Sequence, residues 1–188
     1  MDLEKALDWM LGSADFGPIV DASRIGAAGH SLGGYSVLAL AGGWESWRDP
    51  RIQAVLALAP YVKPFLEHDR LASIHVPLMY QGAQFDLGIT PALRGSHGAF
   101  ARSEAPKYYV ELRRGSHFEW TNAVCWGHRQ VADCLRKRSN ARFIVDYGVA
   151  FFDRYLKKRP DGLERPDGEG LRNYQRRDGR DELRGELK

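Results

Sequence analysis

Apolar positions along the chain switch between two periods. Over residues 2–11, Leu3, Ala6, Leu7, Met10 and Leu11 recur at spacings of three and four, which predicts an amphipathic helix. A polar loop with glycine and proline, Gly12 to Ser23, separates it from a short apolar run, Ile25 to Gly29, suited to a buried strand. Residues 32–41 turn helical and stop at Gly42-Gly43. The run Ile52 to Ala59, IQAVLALA, reads as a second buried strand, closed by Pro60. Residues 60–73 form a connection with one helical turn. A third strand is expected at about Val76 to Gln81 and a fourth at Tyr108 to Leu112. Between them, residues 91–104 look helical, with Pro91 in the first turn, where a missing N–H costs nothing. A last helix runs from about Arg142 to Leu156, with Phe143, Tyr147, Ala150, Phe151 and Tyr155 on one face.

Strands alternating with helices predict an α/β fold with about four parallel strands and flanking helices. Residues 157–188 differ in kind: they are dense in charge, glycine and proline and nearly free of aliphatic side chains. They are expected to be a disordered, solvated tail. Residues 1–156 would then carry the folded domain.

Composition narrows the function classes. Of the 188 residues, 44% are hydrophobic and 27% charged, as in ordinary globular domains. The formal net charge is only +3 and basic residues alternate with acids, which argues against a nucleic-acid partner. No apolar run approaches the ~18 residues of a membrane span. The N-terminus MDLEKALDWM lacks the basic start and apolar stretch of a signal peptide. The default expectation is therefore a cytoplasmic protein, unless a secretion signal lies upstream. Cys125 and Cys134 do not have metal-ligand spacing. Two buried free thiols are the preferred reading, a local disulfide the alternative, and no metal is expected.

The strongest motif is Gly29-His30-Ser31-Leu32-Gly33, followed by Gly34, which matches G-x-S-x-G. A strand that turns abruptly into a helix leaves the serine strained, with its oxygen exposed. Small residues on either side let strand and helix approach. The alternative is a glycine-rich turn with an idle serine, but the apolar run before the motif and the helical pattern after it supply the context the chemistry needs. A serine hydroxyl is a poor nucleophile without a base, and the base needs an orienting acid. Asp86 follows the third strand in QGAQFD, and His117 follows the fourth in GSHF. Both then share with Ser31 the rim of strand C-termini where open α/β sheets bind ligands.

Other candidates are weaker. His97 falls in the expected 91–104 helix, and His68, His75 and His128 have no strand-end placement. The His30 ring is expected to pack behind Ser31. Glu119, and less so Asp69, stand in reserve for Asp86. Phe85, Phe118 and Trp120 would line an acyl pocket or simply pack in the core.

The segments AAGHSLGGYSVLALAG, VPLMYQGAQFD and KYYVELRRGSHFEWTN resemble the dienelactone-hydrolase and platelet-activating-factor-acetylhydrolase branch of the α/β-hydrolases, and are similar to polyester-degrading cutinase-like hydrolases. The resemblance spans roughly residues 2–156. It implies Ser31 as nucleophile, Asp86 as acid, His117 as base and the backbone N–H of Leu32 as one oxyanion donor. It implies a small-molecule ester substrate, an acyl-enzyme and no cofactor. A peptidase or amidase of the same fold is a further alternative.

The chain departs from the family pattern at its start. Relatives carry about four more strands ahead of the helix that leads into the G-x-S-x-G turn, and a loop there supplies the second oxyanion donor. This chain thus reads as the C-terminal half of the fold, with 25–29 as a bare apolar sheet edge. A shortened reading frame is the favoured explanation. A homo-oligomer that covers the edge, or an impaired domain acting only through association, are the others.

Overall fold

A computed structural model describes residues 2–104, 106–159, 162–163 and 170–178. Five strands form one sheet in the order β1-β2-β3-β4-β5: β1 (Ile25–His30), β2 (Ile52–Leu58), β3 (Leu78–Ala83), β4 (Lys107–Leu112) and β5 (Leu171–Arg177). The first four are parallel and β5 runs antiparallel to β4. The helices are α1 (Asp2–Gly12), α2 (Leu32–Leu38), α3 (Lys63–Glu67), α4 (Ala99–Arg102), α5 (Val131–Lys137) and α6 (Ser139–Leu156).

The central strands are apolar on both faces, as a sheet with helices on each side requires. Alternate residues serve two cores. Val55, Ala57, Leu78, Tyr80 and Tyr109 face one side, with Val37, Leu38 and Leu40 from the α2 segment and Phe65 from α3. Leu56, Met79, Tyr108 and Val110 face the other, under Tyr147 and Phe151 of α6. The register aligns His30 with Leu58, Leu58 with Gln81, and Ala83 with Leu112. The C-terminal ends of β1 to β4 therefore make one continuous rim.

Three expectations need correction. Residues 91–104 are not one helix. A single turn at Thr90–Ala92 is separated from α4 by a break in which Gly95 adopts φ +84°, a left-handed conformation that ends a helix and suits glycine. Residues 157–188 are not uniformly unstructured, because 171–177 form β5. Its sequence, LRNYQRR, hides a strand because tertiary partners take up its charge. Arg172 Nη1 lies 3.2 Å from the buried Glu111 carboxylate, Arg176 pairs with Asp178, and the Tyr174 ring lies 5.5 Å from that of Tyr147. The rest of the expected tail, at 160–161, 164–169 and 179–188, lies outside the described residues. The third correction concerns the cysteines: Cys125 and Cys134 form a disulfide instead of two free thiols.

Helix α1 forms where the periodicity places it, yet it buries no residue among those described. Trp9 is 65% exposed and Met10 41%. Among the described residues β1 pairs on one edge only, with β2, as expected of an edge strand.

Candidate active site

Ser31 sits between β1 and α2 with φ 56° and ψ −115°, backbone angles that are costly for a residue with a Cβ, on the order of 1–3 kcal/mol. Surrounding bonds hold it there. Its N–H donates to Leu58 O at 3.0 Å, and its carbonyl accepts from Tyr35 N and Tyr61 N, each at 3.1 Å. The turn is so tight that a Cβ on Gly29 would come within 2.2 Å of Gly33 O, and one on Gly34 within 2.6 Å of Pro60 Cβ. A Cβ on Gly33 would meet nothing within 4 Å. The need for a small residue after Ser31 thus falls on Gly34, against the β2–α3 connection, and not on Gly33.

Asp86 lies just past β3. Its carbonyl accepts from Thr90 N at 3.0 Å, and Thr90 Oγ1 accepts from Ala83 N at 2.9 Å, which closes a compact turn. His117 lies on the loop after β4. Three bonds stitch these two loops together: Gln84 N to Leu112 O at 3.0 Å, Phe85 N to Gly115 O at 2.8 Å, and Arg114 N to Gln84 Oε1 at 3.1 Å. The result aligns one imidazole between two partners. His117 Nδ1 lies 2.8 Å from Asp86 Oδ2, and Nε2 lies 3.0 Å from Ser31 Oγ. With Nδ1–H donating to the carboxylate, Nε2 is the acceptor for the serine hydroxyl. The Asp86 side chain is only 4% exposed, whereas that of His117 is 25% exposed.

His30 packs behind this group, as expected. Its Nε2–H donates to the backbone oxygen of His117 at 2.8 Å. Its ring centroid lies 4.7 Å from that of His117 and 5.8 Å from that of Trp120, on which it stacks. Burial holds the His30 imidazole below its ordinary pKa, which favours the neutral ring. Trp120 in turn donates Nε1–H to Gln81 Oε1 at 2.8 Å, and Gln81 Nε2 donates to Ile144 O at 3.3 Å. Trp120 is therefore a brace behind the site. Its link to Gln81, a buried polar residue inside an apolar strand, was not read from the sequence; that one polar position was its only signal.

The competing residues are engaged elsewhere. Glu119 faces Arg138 at 3.9 Å, Asp69 is 77% exposed opposite Arg102, and His75 pairs with Glu104 at 3.1 Å. His97 is exposed on a turn, not on a helix. The Leu32 N–H opens α2 beside Ser31. Leu32, Phe85, Leu87 and Phe118 are exposed apolar residues next to the three polar ones. Among the described residues no group of three or more His, Cys, Asp or Glu could hold a metal ion, and no helix is long and apolar enough to cross a membrane.

The chain is similar to known proteins in sequence and in fold. The chain is 27% identical over 155 residues to Lipase 1 of Moraxella sp. (strain TA144), covering 82% of the chain and 40% of that lipase. It is 33% identical over 120 residues to Cutinase est1 of Thermobifida alba, covering 62% of the chain and 37% of the cutinase. The chain thus spans well under half the length of these relatives. Among solved structures, a dienelactone hydrolase from Anabaena variabilis ATCC 29413 superposes with TM-score 0.53 at 19% identity, over 82% of this chain and 58% of that one. An esterase domain from a Rhodothermus marinus protein superposes with TM-score 0.55 at 18% identity, over 82% and 68%. These two share the α/β-hydrolase fold. The PETase family, described as PET hydrolase-like, matches residues 1–158, and the chain belongs to that family of α/β-hydrolases.

Proposed function

We propose that the protein is a serine hydrolase that cleaves carboxylic esters through Ser31, His117 and Asp86. The observation that carries this reading is the single imidazole bridging Ser31 Oγ at 3.0 Å and Asp86 Oδ2 at 2.8 Å. Ser31 attacks the ester carbonyl as its proton passes to His117 Nε2. The imidazolium so formed faces the Asp86 carboxylate, which stabilises it and fixes its tautomer. The tetrahedral oxyanion is met by the Leu32 N–H at the start of α2. Collapse expels the alcohol, which takes the proton back from Nε2, and leaves an acyl group on Ser31. Water, activated by the same imidazole, releases the acid. The chemistry asks for no cofactor.

Analogy with the family makes esters with short acyl or small aromatic groups the expected substrates, and the exposed side chains of Leu32, Phe85 and Phe118, with Tyr61 on the connection bonded to Ser31, supply apolar surface for them. The likeness to cutinases and to PET hydrolase-like proteins supports ester and polyester substrates in the same direction. A fluorophosphonate probe tests the reading directly. The folded chain should form one adduct, on Ser31, that Ser31→Ala abolishes. Folded protein without an adduct would refute the proposal.

The partner reading has its own support. The edge of β1 that has no partner strand among the described residues, and the exposed Trp9 and Met10, favour association of two copies over that edge. Size-exclusion chromatography with light scattering checks this: a monomer at all concentrations would rule it out.

A further inference from the structure

Asp86 presents its carboxylate to His117 Nδ1, yet little else holds that side chain. Among the described residues, His117 is the one hydrogen-bond partner of the Asp86 carboxylate. Its aim therefore falls to the backbone of Asp86, and both backbone groups are bound. Asp86 N donates to Ala83 O at 3.1 Å, and Asp86 O accepts from Thr90 N at 3.0 Å. Thr90 closes the ring, because its Oγ1 accepts from Ala83 N at 2.9 Å. Ala83 is the last residue of β3 and is fully buried, so the ring is anchored in the core.

Two features single out the Thr90 hydroxyl. The bonds from Gln84 N and Phe85 N fix the chain just before Asp86 to the loop after β4. After Asp86, Leu87 and Gly88 are exposed, and among the described residues Thr90 is the first to bond back to the sheet. The strand is also shaped to receive this side chain. Thr90 is buried, and a Cβ on Gly82 would fall 2.9 Å from Thr90 Oγ1 and 3.1 Å from Thr90 Cγ2. Glycine inside a strand weakens it and marks a close approach. At position 82 the group that approaches is the Thr90 side chain, and any larger residue would push its hydroxyl off Ala83 N–H.

We propose that Thr90 is a positioning residue for Asp86: its hydroxyl, seated against Gly82 and bonded to Ala83 N–H, fixes the turn that aims the Asp86 carboxylate at His117. This role rests on the serine-hydrolase reading above and adds to it a residue that touches none of the reacting atoms.

Fluorophosphonate labelling of Ser31, measured on folded protein, tests it. Thr90→Val keeps the shape and removes the acceptor. It should slow labelling by about tenfold, as expected when the loss of one buried hydrogen bond falls on the catalytic geometry. Thr90→Ser keeps the acceptor and should label within about twofold of the parent. In an Asp86→Asn background Thr90→Val should add less than about twofold, because residues that act through one contact are not additive. A residue serving stability alone would lower the denaturation midpoint and move none of these rates in folded protein. If Thr90→Val does not fold, Thr90→Ala, which opens space for water at Ala83 N–H, takes its place with the same outcomes expected.

A second readout does not need Ser31. The downfield proton resonance of His117 Nδ1–H, identified by its absence from His117→Gln, should persist in Thr90→Ser and be lost in Thr90→Val. If it behaves so while Ser31 takes no probe, the hydrolase reading fails and the role of Thr90 stands. Thr90→Val labelling like the parent, Thr90→Ser as slow as Thr90→Val, full additivity with Asp86→Asn, or a resonance unchanged in Thr90→Val would each overturn the proposal.

Discussion

His30 donates its Nε2–H to the backbone oxygen of His117 across 2.8 Å, so the residue before Ser31 holds the residue that faces Ser31. This bond ties the β1 turn to the loop after β4 independently of the side-chain contact between Ser31 and His117. His30→Phe keeps a ring against Trp120 and removes the bond. One lost hydrogen bond corresponds to about tenfold in rate if its whole effect falls on the position of His117. The rate of fluorophosphonate labelling at Ser31 should drop by that order while the far-ultraviolet spectrum stays unchanged.

The same imidazole sets a pH dependence of stability. Burial is the largest influence on His30 and holds its pKa below 6.5, with the bond to His117 O and the charge of Asp86 opposing in part. The folded state therefore binds this proton less well than the unfolded chain does. Stability from this source is full above pH 6.5 and is lost as pH falls through the lower, folded pKa. Urea titrations of the parent and His30→Phe should show the parent losing more stability on acidification from 6.5 to about 5. Equal losses would contradict the assignment.

Asp86 is nearly closed off from solvent and meets His117 Nδ1. Asp86→Asn keeps the shape but offers an amide where an acceptor is needed, favouring the wrong tautomer. Labelling at Ser31 should slow by roughly 10²–10⁴ with little change in the thermal midpoint.

The three glycines of the turn should behave differently. Gly29→Ala and Gly34→Ala would drive a methyl into Gly33 O and Pro60, and each should destabilise by about 1–3 kcal/mol. Gly33→Ala meets open space on a helix and should be neutral or stabilising by up to about 1 kcal/mol. Chemical denaturation of the three variants checks the order.

Glu111 is 1% exposed and holds three partners: Arg94 at 3.1 Å, Arg172 of β5 at 3.2 Å and the Tyr109 hydroxyl at 2.8 Å. Glu111→Ala leaves the buried Tyr109 hydroxyl without its acceptor and two part-exposed cations without their carboxylate, and should cost about 1–3 kcal/mol. Hydrogen exchange should show β5 amides losing protection before those of β2 and β3.

Much of this fold and of the candidate site is written in local pattern. Apolar runs marked β1 to β4, and the three-and-four spacing of Phe143, Tyr147, Ala150, Phe151 and Tyr155 marked α6, because burial on a face repeats with the period of the element. Ser31, Asp86 and His117 each follow a strand, and a parallel sheet brings strand ends to one rim whatever lies between them. Their chain order and their strand-end positions were therefore enough to bring them together.

What local pattern could not carry was anything whose partner lies far along the chain. β5 has too few apolar residues to announce itself, and its Arg172 meets Glu111, 61 positions earlier, only when the sheet forms. The break at Gly95 depends on a backbone angle, the Cys125–Cys134 bond on the proximity of two loop residues, and the brace from Trp120 to Gln81 on α6 lying across the sheet. The sequence alone determined the parallel α/β sheet and the identity of the residues on its rim, since both follow from hydrophobic period and strand order. Tertiary structure decided the 2.8 and 3.0 Å geometry around His117 and the fifth strand with its Arg172–Glu111 pair, because hydrogen-bond distances and charge pairing exist only between surfaces that folding brings together.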